Sequence, residues 1–142
     1  MGISLTPEEQ LEVFGTDELP EHEKEAEARW GDTEAWKESQ RRAAAYTKAD
    51  WIEIKREADA NLAAFAQALH SGAPATSDAP RMLAEAHRRH ISRWFYECSR
   101  ERHRGLAEVF VSDPRFAKTY DDVAPGLSRY VHDAIVAAAA AG

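Results

Sequence analysis

Apolar residues recur at intervals of three and four along most of this chain, and no stretch sustains a two-residue alternation between turn signals. The pattern predicts an all-α protein. Thr6, Pro7 and Glu9 form a capping box with proline at the first helical position, so a short helix is expected from about Thr6 to Phe14, stopped by Gly15. Pro20 opens a second, very acidic helix expected to end near Trp30 and Gly31. Asp32 and Thr33 can cap a third, which carries Trp36 and runs toward Ala45. Thr47, with Asp50 in the first turn, begins a long helix expected to reach His70, along which Trp51, Ile54, Ala58, Leu62, Phe65 and Leu69 draw one apolar stripe. After the linker "SGAPATSDAP", a second long helix is expected from about Asp78 to Glu97, with Leu83, His87, Ile91, Trp94 and Cys98 on one face. A helix from about Ser99 to Val111 presents His103, Leu106 and Phe110. Asp113 and Pro114 end it and start a short turn through Phe116 to Tyr120. Pro125 opens the last helix, with Leu127, Tyr130, Val131 and Ile135 facing inward. Its alanine-rich end, residues 136–142, is expected to fray for lack of anything to pack against.

A length of 142 residues fits one domain, residues 1–142, and 44% hydrophobic with 30% charged residues is the balance of a soluble globular protein. The net charge of −7 changes this picture because it is uneven. Residues 1–38 hold 12 acidic side chains against three basic ones, a balance of −9, which leaves 13 acids and 15 bases, +2, for the remainder. We therefore divide the domain into an acidic segment, residues 1–45, and a helical core, residues 46–142. The acidic balance argues against direct nucleic-acid binding. No apolar run approaches the roughly 20 residues of a membrane span, and the N-terminus lacks the layout of a signal peptide, so the expected location is cytoplasmic. Cys98 is the single cysteine, which excludes an internal disulfide and any all-cysteine metal cage.

Chemistry concentrates in residues 90–106, "HISRWFYECSRERHRGL". A zinc site would draw on His87, His90, His103 and Cys98, but the neighbouring arginines repel a dication and no HExxH pattern is present. Cys98 with His103 as base has the residue types of a thiol nucleophile, without an orienting motif. No cofactor, metal or catalytic activity is therefore expected. Packing is the stronger explanation for a buried cysteine and a stripe of aromatics. Four tryptophans are nonetheless many for a small helical domain, and Trp30 and Trp36 sit in the acidic segment, where the helices are short. Short helices with large aromatic side chains suggest a lid over something flat and apolar.

The segments "LTPEEQLEVFG", "ARWGDTEAWKESQ", "YTKADW", "HISRWFYECS", "HRGLAEVFVSDPRF" and "PGLSRYVHDAI" occur in an order and spacing that closely resembles the TipA-type antibiotic-recognition domain, TipAS, from Leu5 to Ile135. The resemblance implies a globin-like, all-α fold with an N-terminal lid. It implies non-catalytic binding of thiopeptides and other bulky heteroaromatic peptide antibiotics. It also implies a role either as the effector domain of a MerR-type transcription activator, with a DNA-binding domain upstream, or as a free drug-sequestering protein. The alternative is a protein-interaction or dimerisation domain with little drug binding. The candidate ligand-binding residues are Trp51, Trp94 and Phe110 as walls, Trp30 and Trp36 on the lid, His87 and His103 as polar contacts, and Cys98. Some family members capture a dehydroalanine of the drug on a cysteine seven residues beyond the position of Cys98. Here that position is Gly105, so covalent capture is not expected there.

Overall fold

In a computed structural model of the chain, residues 5–14, 28 and 30–141 are described. Among them are seven helices and no strand: α1 (Pro7–Phe14), α2 (Glu34–Ala43), α3 (Lys48–His70), α4 (Asp78–Trp94), α5 (Arg100–Ser112), α6 (Pro114–Asp121) and α7 (Leu127–Ala141). The expected acidic helix from Pro20 lies outside the described residues except for its C-terminal end.

The caps account for where the helices begin. Thr6 and Glu9 exchange reciprocal hydrogen bonds of 3.1 Å at the start of α1. At the start of α3 the amide of Thr47 donates to Asp50 (2.9 Å) and the amide of Asp50 donates to the Thr47 hydroxyl (3.3 Å). Thr33, Ser99 and Asp113 cap α2, α5 and α6 through their side-chain oxygens. Gly126, at φ +84, adopts the left-handed turn that leads into α7. A glycine offers no capping side chain, and Asp121 takes over by accepting from the Ser128 amide (2.9 Å) and hydroxyl (3.0 Å).

The chain divides into two compact units, residues 1–57 with 90–97, and residues 58–89 with 98–142. In the first, Leu5, Ala43, Trp51 and Ile54 form a small core with Tyr46, Trp94 and Phe95 packed against it. In the second, Phe65, Ala84, Ala107, Phe110, Leu127, Val131, Ala134 and Ile135 are buried together, and α7 packs against both α5 and α6.

Several boundaries differ from the sequence expectation: the last helix begins at Leu127, with Pro125 in the turn before it. Helix α4 ends at Trp94 rather than Glu97, because the amides of Phe95 and Tyr96 both turn back to the Ile91 carbonyl (2.8 and 3.2 Å). Cys98 therefore lies on the segment before α5 and not on the helical stripe. The region after Pro114 is a full helix instead of a turn, since Asp113 caps it and proline fits its first position. The alanine-rich end does not fray before Ala141: Ala134 and Ala138 are buried in the second unit's core, where small side chains allow close helix approach.

Candidate functional site

In the first unit, Tyr46 immediately precedes the cap of α3 and lies edge-on to Trp51, with ring centroids 5.7 Å apart. This is a hydrophobic staple, in which the residue before the N-cap packs on the fourth helical residue. Tyr46 also meets Trp94 edge-on at 5.4 Å, and its hydroxyl donates to the Trp94 carbonyl. Burial raises the Tyr46 pKa, which keeps that hydroxyl protonated. Phe95 completes the cluster 6.2 Å from Trp51.

Glu57 organises the polar side of this cluster. It accepts from the Trp94 indole N–H at 2.8 Å and pairs with Arg93 at 3.4 Å. The Arg93 guanidinium lies 4.7 Å from the Trp94 ring centroid, a cation–π contact. His90 Nε2 lies 3.0 Å from the Ile54 carbonyl, which can only accept, so this nitrogen carries the proton. Arg42 donates to the Ser92 carbonyl (2.8 Å) while paired with Glu38. Trp30 and Trp36 are tied by one threonine: the Thr33 hydroxyl donates to the Trp30 carbonyl (2.7 Å) and accepts from the Trp36 amide (3.1 Å). Trp30, Trp36 and Trp94 are half-buried, whereas Trp51 is 3% exposed.

In the second unit, His87 Nδ1 and His103 Nε2 face each other at 2.7 Å with their rings stacked at 5.0 Å. One of these nitrogens must donate and the other accept. His103 is 2% exposed, and burial pushes its pKa down to about 4. Phe110 stands edge-on to His87 at 6.0 Å and contacts Tyr120, whose own pKa burial raises to about 12. Cys98 is 1% exposed. Its carbonyl accepts from Arg88 (3.0 Å), and Arg88 grips Glu85 through two 3.0 Å bonds. Hydrogen bonding to Arg88 outweighs partial burial and holds the Glu85 carboxyl below the usual carboxylate range.

The expected site residues thus fall into two sets. Trp51 and Trp94 meet through Tyr46, and His87, His103 and Phe110 form one contiguous cluster. Tyr46 and Glu57 are absent from the sequence expectation, which weighs His90 only as a zinc ligand. Of these, only Tyr46 had a signal, its place before the Thr47 cap. Among the described residues no group of three or more histidine, cysteine, aspartate or glutamate side chains is arranged to hold a metal ion. No described helix is long and apolar enough to cross a membrane.

The TipAS antibiotic-recognition domain matches residues 22–138, most of the chain. The chain belongs to the TipAS family. The HTH-type transcriptional activator TipA of Streptomyces coelicolor is 45% identical over 137 residues, 96% of this chain and 54% of that protein. The HTH-type transcriptional activator mta of Bacillus subtilis is 32% identical over 100 residues, 70% of this chain and 38% of its own length. This TipAS domain therefore spans about half the length of TipA. Among solved structures, TipAS of Streptomyces lividans in complex with nosiheptide is 44% identical, with a TM-score of 0.90 over 99% of this chain and 98% of that one. The antibiotic binding domain of a TipA-class multidrug resistance transcriptional regulator is 41% identical, with a TM-score of 0.58 over 62% of this chain and 94% of that one. The fold is accordingly the globin-like helical fold of TipAS.

Proposed function

We propose that this chain binds bulky heteroaromatic peptide antibiotics of the thiopeptide class and sequesters them without chemical turnover. The reading is carried by one observation: a relative solved with nosiheptide shares the fold over 99% of this chain at 44% identity. Trp94, Trp30 and Trp36 are the residues we assign to contact the drug, because each is half-buried and has ring surface to offer. Flat heteroaromatic rings stacked on indoles gain about 25 cal/mol per Å² of apolar surface removed from water, before ordering costs. Trp51, 3% exposed and packed against Tyr46 and Phe95, acts as support beneath such contacts in the first unit. The family likeness suggests that the acidic N-terminal part covers the bound antibiotic.

Capture is reversible in this reading. Gly105 occupies the position at which the resemblance has a reactive thiol, and Cys98 is too enclosed to replace it. The domain acts in the cytoplasm, either as the effector-sensing part of a TipA-type activator or as a free drug-binding protein. The test is titration with thiostrepton and with one non-thiopeptide heteroaromatic antibiotic, following tryptophan emission, far-UV circular dichroism and intact mass. Quenching, a gain in helical signal and an unchanged mass are expected. No change in emission or dichroism at tens of micromolar would sink the reading.

A further inference from the structure

A groove of about 560 Å³ in the second unit is lined by none of the residues assigned above to the antibiotic, and it shares only Arg100 with the neighbouring groove at Gly105. It is lined by Asp78, Arg81, Met82, Glu85, Arg89 and Arg100, with Ala138 and Ala141 of α7 as its floor. The volume lies within the roughly 300–1,000 Å³ of small-molecule sites.

Its electrostatics oppose those of the chain. The protein carries −7, yet three guanidinium groups face two carboxylates here, and both carboxylates are already engaged. Asp78 is paired with Arg81, while Glu85 is shared by Arg88 and Arg100 at 3.0 Å each. Arg89 has no ion pair among the described residues and is exposed. The Arg81 Nε–H is buried without an acceptor among the described residues, while the rest of its side chain is partly exposed. Apolar surface lies beside these donors: Met82 is 72% exposed, and a thioether side chain adapts to flat rings. Alanines on the floor let such a ring approach closely.

We propose that this groove is a second site, for small planar aromatic anions, with the anion held by Arg81, Arg89 and Arg100 and the ring lying against Met82, Ala138 and Ala141. Arginine suits both parts of such a ligand, since its planar fork binds oxyanions and its face stacks on aromatics. The proposal is independent of antibiotic binding, and the two can fail separately.

The probe is 8-anilinonaphthalene-1-sulfonate, titrated by fluorescence against the full chain, with neutral N-phenyl-1-naphthylamine as its uncharged counterpart. One saturable site is expected, preferring the sulfonate and weakened by salt. Arg89→Glu and Ala141→Trp should each weaken the anion by about tenfold or more, and Arg89→Lys, which keeps the charge but loses the planar fork, should weaken it less than Arg89→Glu does. Circular dichroism must show all three variants folded, and thiostrepton quenching should be unchanged in Arg89→Glu. The proposal is overturned if both dyes bind equally, if Arg89→Glu and Ala141→Trp leave anion binding intact, or if thiostrepton displaces the dye competitively.

Discussion

Lowering the pH from 7 toward 4.5 should destabilise this protein through a single buried ring. In the unfolded chain His103 takes up a proton near its ordinary pKa of 6.5, whereas in the folded chain burial holds it neutral until about pH 4. Between those values the unfolded state binds more protons, so stability falls as the pH falls, by up to 1.36 kcal/mol per pH unit from this group. Over the full window the loss is about 3 kcal/mol, a large fraction of the roughly 5–15 kcal/mol that stabilises an ordinary domain. The loss stops growing below about pH 4, where the folded state accepts the proton as well. Glu85 does not interfere above about pH 5, because a depressed carboxylate costs stability only as the pH falls below the unfolded value of 4.5. The assay is urea unfolding by circular dichroism at half-unit steps from pH 7.5 to 4.5, on the wild type and on His103→Gln. The glutamine variant will be less stable at neutral pH, but it should lose most of the acid slope. Direct titration by NMR should find the His103 ring unchanged between pH 7 and 5. An acid slope that persists undiminished in His103→Gln, or a His103 that titrates near 6.5, would refute the argument.

His132 should show the opposite slope. Burial disfavours its charge, but Glu108 (2.9 Å) and Asp133 (2.8 Å) overcome that and raise its pKa, so the stability it adds below 6.5 is lost as the pH rises. His132→Gln should flatten that alkaline loss by less than about 1 kcal/mol, since both partners are substantially exposed. Thr47→Ala should cost about 1 kcal/mol in urea unfolding, by removing the cap of α3 without touching an aromatic ring. Trp51→Ala should cost about 3–5 kcal/mol and also blunt thiostrepton quenching, because it removes the buried ring on which Tyr46 and Phe95 rest. Gly105→Cys should convert reversible thiostrepton binding into a mass adduct. A Cβ there meets nothing within 4 Å, and Gly105 lines a groove of about 550 Å³, so a thiol placed there has room to react.

Much of the fold was legible because this chain writes its helix starts in side chains. Thr6, Thr33, Thr47, Ser99 and Asp113 each cap as their type and spacing suggest. Ends were harder, since nothing between Trp94 and Ser99 is a glycine or proline. The Ser99 cap still held the information, because a capping residue requires extended backbone (ψ 165), which no continuing helix supplies. The alanine tail packs where the sequence predicts fraying, because its packing depends on side chains being small, a property that an apolar stripe does not register. Within the candidate site, the tryptophans declared themselves by size, but their partners did not. Glu57 and Trp94 are 37 residues apart, and His87 and His103 are 16 apart on different helices. Such pairings exist only once the helices have packed.

That separation bears on how the proposed antibiotic surface works. An indole alone on a helix end is free to rotate, and ordering it on binding costs about 0.5–1.5 kcal/mol. Trp94 has already met that cost. Its ring nitrogen is held by Glu57, its carbonyl by Tyr46, one side is covered by Arg93, and Tyr46 itself is fixed by the staple on Trp51. The same carboxylate also neutralises Arg93, so the indole is positioned without leaving an unpaired charge beside the proposed contact surface. Glu57→Gln keeps the shape and one acceptor for the indole while removing that charge. It should therefore weaken thiostrepton binding less than Glu57→Ala, which frees the ring altogether. Equal effects would mean that charge, and not the fixed orientation of Trp94, governs the site.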